Sequence, residues 1–245
     1  MLNRRKRTKT RKPDARSVRT RKRILDVAEQ LFARQGFHGV SLRQITVAAG
    51  VNVAATHYHF RTKRHLFIEV FTRRNAPIQE ARIERLKACA ESNLYGEQLL
   101  DCFLHAFVEP FVEATLRPNG EMILLLVHQV SQEADGRFAR SVLRSNDEIW
   151  DVGAPLLQRA LPHLSREVVL WRFYFMLGAI LHLCRPRAWL KERTGGLCDA
   201  HDLTVATAEI IDYLKGAMMA PAESSHAPMH RKSKRVKLER TLISS

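Results

Sequence analysis

Four cysteines in 245 residues are few, and none form a Cys-x-x-Cys pair. No histidine stands at zinc-finger spacing from two of Cys89, Cys102, Cys184 and Cys198. Neither a disulfide framework nor a zinc finger is signalled, and reduced, mostly buried thiols are expected. Long apolar runs are missing too. A membrane span needs roughly 20 apolar residues, and the longest candidate, 173–184, is interrupted by Gly178 and His182. The N-terminus carries charge where a signal peptide has an apolar stretch, so a cytoplasmic protein is expected. Period-2 alternation, hairpin signals and internal repeats are absent, which leaves no basis for a sheet. There is no paired acid/base constellation, no phosphate-cradling loop and no nucleophile motif, so neither an enzyme nor a cofactor is expected.

The charge is what the chain does have, and its placement is uneven. Of the net +15, residues 1–23 carry +11 and residues 221–245 carry +4, while 24–220 sum to zero. The body therefore has an ordinary mixed surface, and the excess sits on two tails. Such basic tails are expected to be disordered alone and to favour a polyanion, of which DNA is the commonest in the cytosol.

From about residue 15 onward the pattern is helical. Ile24, Leu25, Ala28, Leu31 and Phe32 repeat on one face of a first helix over 17–35, which Gly36 ends. Ser41 caps a second helix, which stops at Ala49-Gly50. Asn52 caps a short third helix reaching His59. Lys63 begins a fourth, with Leu66, Phe67, Val70 and Phe71 on one side, and Pro77 breaks or bends it. Further helices are expected over about 97–115, 119–133, 135–161, 166–183 and 203–217. The fold class is all-α. The expected domains are a basic arm (1–16), a DNA-binding helical domain (17–74), a larger helical domain (75–220) and a basic tail (221–245).

The stretch AAGVNVAATHYHF, residues 48–60, carries the functional signal. Two short helices joined by a tight turn at Gly50, with another helix behind, make a helix-turn-helix. Val53, Ala54, Ala55 and His57 are small or polar, as a backbone entering a major groove requires. His57 and His59 stand two apart, so on a helix they point to different sides and share no metal. His59 with Arg61, Lys63 and Arg64 makes a cluster suited to phosphate.

The segment RILDVAEQLFARQGFHGVSLRQITVAAGVNVAATHYHFRTKRHLFIEVF resembles the DNA-binding domain of TetR-family repressors along its whole length. The resemblance implies that Ser41 and Arg43 touch backbone or flanking bases. It puts Asn52, Val53, Ala54 and Ala55 at the start of the recognition helix. His59 and Lys63 match phosphate clamps. Two positions depart from the family: His57 replaces a usual Tyr or Asn, and Thr56 replaces an inward aliphatic residue, so its hydroxyl needs a partner. LPHLSREVVLWRFYFMLGAILHL in the second half resembles a fatty-acid-responsive, PsrA-type branch.

The second half is then expected to bind an effector and a second subunit. Phe103, Phe107 and Phe111 repeat at helical spacing, and Met122, Leu125, Leu126, Trp171, Phe175 and Met176 face them in the expected arrangement. Such a stripe serves as core or as an apolar cavity. The expected pocket residues are Phe107, Phe111, Met122, Leu126, Phe175 and Arg140, the last holding a carboxylate or phosphate. Helix 166–183 is apolar nearly all round, so one side is expected to meet its own domain and the other, with the last helix, a partner copy. The function expected is a homodimeric, sequence-specific regulator of transcription on a palindromic operator, a repressor released by a fatty acyl or other apolar small molecule. The alternative is a nucleoid-associated architectural protein with little sequence preference.

Overall fold

A computed structural model describes residues 14–132, 147–182 and 188–222. These residues form ten helices and no strand. In chain order they are α1 (Ala15–Gly39), α2 (Leu42–Ala48), α3 (Val53–Phe60), α4 (Lys63–Glu91), α5 (Gly96–Leu116), α6 (Glu121–Gln132), α7 (Asp147–Ala160), α8 (Arg166–His182), α9 (Ala188–Arg193) and α10 (Leu203–Met219). No described helix is long and apolar enough to cross a membrane. Of the expected arm (1–16), residues 1–13 lie outside the described residues, as do 135–146 of the expected helix and 223–245 of the expected tail (221–245), while residues 14–16 form the cap and start of α1.

Asp14 starts α1 by accepting from the Arg16 amide, three residues before the expected Ser17. Gly36 does interrupt α1, with φ 74° and ψ 170°, but a short helical piece resumes and reaches Gly39. The side chain of Gln129 in α6 packs on Gly36, so a Cβ there would meet its amide at 3.0 Å. The end of α1 is thus held from the second half of the chain.

Of the two expectations for Pro77, a break or a bend in the fourth helix, the break is corrected, because α4 runs through it to Glu91. Pro77 is exposed, while Asn75, Ile78, Gln79 and Arg82 around it are buried. Packing on both sides outweighs the one hydrogen bond that proline cannot donate. Pro110 likewise sits inside α5, and in the same turn Arg82 Nε donates to the Phe107 carbonyl at 2.7 Å.

Among the described residues two clusters make the core. One joins α1 to α4 with Phe111 of α5 and Ile123, Leu126 and Val127 of α6. The other joins the end of α4 to α5, α7, α8 and α10. The expected boundary at 74/75 falls inside α4, which contributes to both.

The cysteine expectation needs correcting. Cys89 of α4 and Cys102 of α5 form a disulfide, with Cα atoms 6.1 Å apart, and Cys198 is free and exposed. The pair is 13 residues apart in sequence, and only the antiparallel return of α5 along α4 brings the two together. Cys184 lies outside the described residues.

Candidate DNA-binding surface

Local capping sets the two short helices. Ser41 Oγ accepts from the Gln44 amide at 3.2 Å, and the Ser41 amide donates to Gln44 Oε1 at 2.7 Å, a reciprocal capping box. Asn52 Oδ1 accepts from the Ala54 amide at 2.9 Å and starts α3. Between them Gly50 adopts φ 58°, the left-handed region that disfavours side chains. A Cβ at Gly50 would also lie 2.7 Å from a guanidinium nitrogen of Arg23. The Arg23 tip is the far end of a flexible side chain and can move aside, so it is the left-handed backbone that calls for glycine.

Thr56, the departure from an aliphatic residue, is buried against α2. Its Oγ1 lies 3.3 Å from Thr46 Oγ1, and Thr46 in turn donates to the Leu42 carbonyl at 2.6 Å. A hydroxyl has one proton, and that of Thr46 is committed to Leu42. Thr56 is therefore the donor of the pair. The partner that the sequence required for this hydroxyl is found ten residues upstream.

Arg43, Val53, Ala54, His57, Tyr58 and Arg61 are exposed. Ala55 and His59 are half-buried at the edges of that group. His57 Nδ1 lies 3.2 Å from the Arg61 carbonyl. A carbonyl only accepts, so Nδ1 carries a proton and Nε2 is the ring nitrogen left for other partners. His59 stands differently. Burial first, and the positive charge of Arg21 second, hold its pKa below the ordinary 6.5. At neutral pH His59 offers a neutral N–H, not a charge.

Lys63 is not presented as a free clamp. Its Nζ donates to the carbonyls of Phe37 and Val40, both at 2.9 Å, and lies 4.4 Å above the Phe37 ring. Those carbonyls follow the Gly36 break in α1, where the helix leaves acceptors unpaired. Two of its three ammonium protons tie the start of α4 to the end of α1. Lys63, which the resemblance matches to a phosphate clamp, keeps one ammonium proton beyond these two bonds.

Sequence reasoning also passed over the contacts that lock α1 to α4. Arg21 pairs with Glu69 and lies over Phe60. Arg73 and Arg74 converge on Glu29, which is only 3% exposed, and Arg73 also donates to Asp26 at 2.6 Å. The one signal available was an acidic pair in an otherwise basic first helix. Gln44 was within reach of sequence reasoning, as the fourth residue of Ser-x-x-Gln.

Among the described residues, those expected to line an effector pocket fall into different surroundings. Phe107 stacks on Phe103 at 5.9 Å and meets Phe173 edge-on at 6.0 Å, filling that space with rings. Phe111 and Leu126 belong to the other core cluster, and Arg82 lies between Phe107 and Phe111, 4.4 Å from the first ring and 5.8 Å from the second. Met122 is half-buried. Phe175 is 61% exposed, on the side of α8 away from buried Phe173 and Met176, so its assignment to the pocket is corrected. Arg140 lies outside the described residues.

Residues 24–70 match the family described as "Bacterial regulatory proteins, tetR family", and residues 105–217 match "Tetracyclin repressor-like, C-terminal domain". The second match is to the general C-terminal domain and does not single out a fatty-acid-responsive branch. The chain is 40% identical over 74 residues to the HTH-type transcriptional regulator AcrR of Shigella flexneri, covering 30% of this chain and 34% of that one. It is 32% identical over 74 residues to the HTH-type transcriptional repressor BepR of Brucella suis biovar 1, covering 30% and 35%. The chain thus spans about a third of the length of these two curated relatives. In fold it is similar to the fatty acid degradation regulator FadR from Bacillus halodurans, at TM-score 0.57 and 13% identity, covering 86% of this chain and 100% of that one. With a tetR-type domain at 24–70 and a repressor-like domain at 105–217, this chain belongs to the TetR family.

Proposed function

We propose that this chain is a homodimeric, site-specific DNA-binding regulator of transcription that acts as a repressor. The observation that carries the proposal is the outer face of α3. Val53 and Ala54 leave its backbone free to approach base edges, and His57 Nε2 and Tyr58 supply polar tips. Apolar side chains there favour thymine methyl groups, and the His57 acceptor suits an exocyclic amine of adenine or cytosine. Ser41, Arg43, Asn52 and His59 flank this face as backbone contacts, with Ala55 at its base-facing edge. The arm before residue 14 adds a nonspecific phosphate contribution. AcrR and BepR, named as transcriptional regulator and repressor, support the same role.

The dimer proposal rests on α8 and α10, which pack side by side. Trp171, Tyr174 and Phe175 of α8 are 53%, 59% and 61% exposed, and Tyr213 of α10 is 66% exposed. Aromatic residues clustered on a single-chain surface mark an interface. A two-fold axis through them presents two copies of α3 to successive major grooves, about 34 Å apart. An apolar small molecule that favours a different spacing releases DNA by its differential affinity for the two forms.

The test is a titration of purified protein against the DNA upstream of its own gene and against a scrambled duplex, over several salt concentrations. A preference of about 10³-fold or more for the real site supports the proposal. Equal binding to both, lost together as salt rises, overturns it in favour of an architectural protein driven by its tails.

A further inference from the structure

A pocket of about 160 Å³ lies between α4, the end of α5 and the start of α6, apart from the aromatic core around Phe107. Its apolar lining includes Pro77, Ile78, Ala81 and Ile123. Its charged lining is uneven among the described residues: Arg73, Arg74 and Arg117 against one carboxylate, Glu113. Glu113 is already taken by Arg85, which reaches both of its oxygens at 2.8 Å. Arg117 has no ion-pair partner among the described residues. Gly120 closes one wall without a side chain. A Cβ there would lie 2.3 Å from the Ala114 carbonyl oxygen, so the turn is pressed against the end of α5.

Arg73 and Arg74 have a second attachment on the other side. Both reach Glu29, the buried carboxylate of α1. One carboxylate offers about four lone-pair sites, whereas two guanidinium groups carry ten N–H donors. Asp26 takes one more of these from Arg73. The same two side chains therefore line a pocket with spare donors and latch the DNA-binding helices to α4.

We propose that this pocket binds a small organic anion, a carboxylate with a compact apolar body, and that the bound anion competes with Glu29 for Arg73 and Arg74. The guanidinium fork matches a carboxylate in two-pronged geometry. The proline, isoleucine and alanine surfaces take the apolar body. The volume is below the roughly 300–1,000 Å³ of sites for drug-sized ligands, which sets the compact size. Weakening the Glu29 latch loosens α1 on α4 and with it the placement of α3. The anion therefore lowers affinity for DNA, a consequence that rests on the proposed DNA-binding role.

The experiment uses the full chain and isothermal titration with sodium butyrate, benzoate and salicylate. Benzamide is the uncharged control, and DNA binding is measured in parallel. At least one acid is expected to bind saturably, one per chain, with a Kd below ~1 mM, and benzamide is expected not to bind. Ala81→Leu fills the pocket and abolishes binding, and Arg117→Gln weakens it. Glu29→Gln frees the arginines and tightens binding by about tenfold. Because Glu29 is buried, Asp26→Asn, whose side chain is 51% exposed, provides a second variant with a smaller gain in the same direction. No saturable binding by any of the acids, equal binding of benzamide, or binding indifferent to Ala81→Leu overturns the inference. If the acids fail to bind while site-specific DNA binding holds, the pocket proposal alone falls. If an acid binds at the pocket and no DNA site is preferred, the site stands and its link to DNA falls.

Discussion

Replacing Lys63 by methionine separates two roles that a basic residue beside a recognition helix can have. The ammonium group makes two charge-assisted hydrogen bonds, to the carbonyls of Phe37 and Val40, both at 2.9 Å. A hydrogen bond to a charged group contributes about 1.5–3 kcal/mol. Lys63 is only half-buried, and water replaces part of what is lost, so the pair together is taken as about 2–3 kcal/mol. Methionine keeps most of the stem against the Phe37 ring and removes only the charge and its donors. At roughly 2–4 °C per kcal/mol for a chain of this size, the melting temperature falls by about 5–10 °C. The salt dependence of DNA binding, measured at a temperature where the variant is folded, stays the same. A phosphate clamp gives the opposite pattern. There the melting temperature holds, and the slope of log affinity against log salt shrinks by about 0.9. That second pattern refutes the strut assignment.

Three further predictions follow from the same contacts. Thr46→Val leaves the Thr56 hydroxyl buried without an acceptor and costs about 1–3 kcal/mol. Thr56→Val leaves Thr46 bonded to Leu42 and is neutral or stabilising; denaturant unfolding of both variants checks the asymmetry, and equal losses contradict it. His59 has its folded pKa below the ordinary 6.5, so the unfolded chain binds more protons and stability falls as pH drops below about 6.5. His59→Gln flattens that part of the stability curve, and an unchanged slope in the variant points to another group. Trp171→Glu places a charge in the exposed aromatic face of α8 and shifts the chain toward monomer in sedimentation, with DNA affinity falling in step; a dimer of unchanged strength removes α8 from the interface.

The parts of the fold legible in the sequence are those set by near neighbours. Ser41 and Asn52 cap helices through amides two or three residues away, and the residue types announce it. Gly50 is legible because its φ of 58° asks for glycine. Thr56 was flagged by the mismatch of a hydroxyl at an inward position. What was not legible depends on partners far along the chain. Lys63 reads as a surface charge until the end of α1 is seen to offer two carbonyls to it. Cys89 and Cys102 share no motif, and only helix packing pairs them. Phe175 fits an inward stripe by type, yet Phe173 and Met176 take the buried face of α8 and turn it outward. Pro77 signals a break, but the buried residues on either side carry the helix past it.

The central claim is that α3 reads a DNA sequence from a two-fold dimer. The most direct measurement is selection of bound duplexes from a randomised pool, carried out with the full chain and with His57→Ala. The account predicts a palindromic consensus of two half-sites for the full chain, and a relaxed preference at one symmetric pair of positions for the variant. A pool without consensus, or an identical consensus from both proteins, contradicts it.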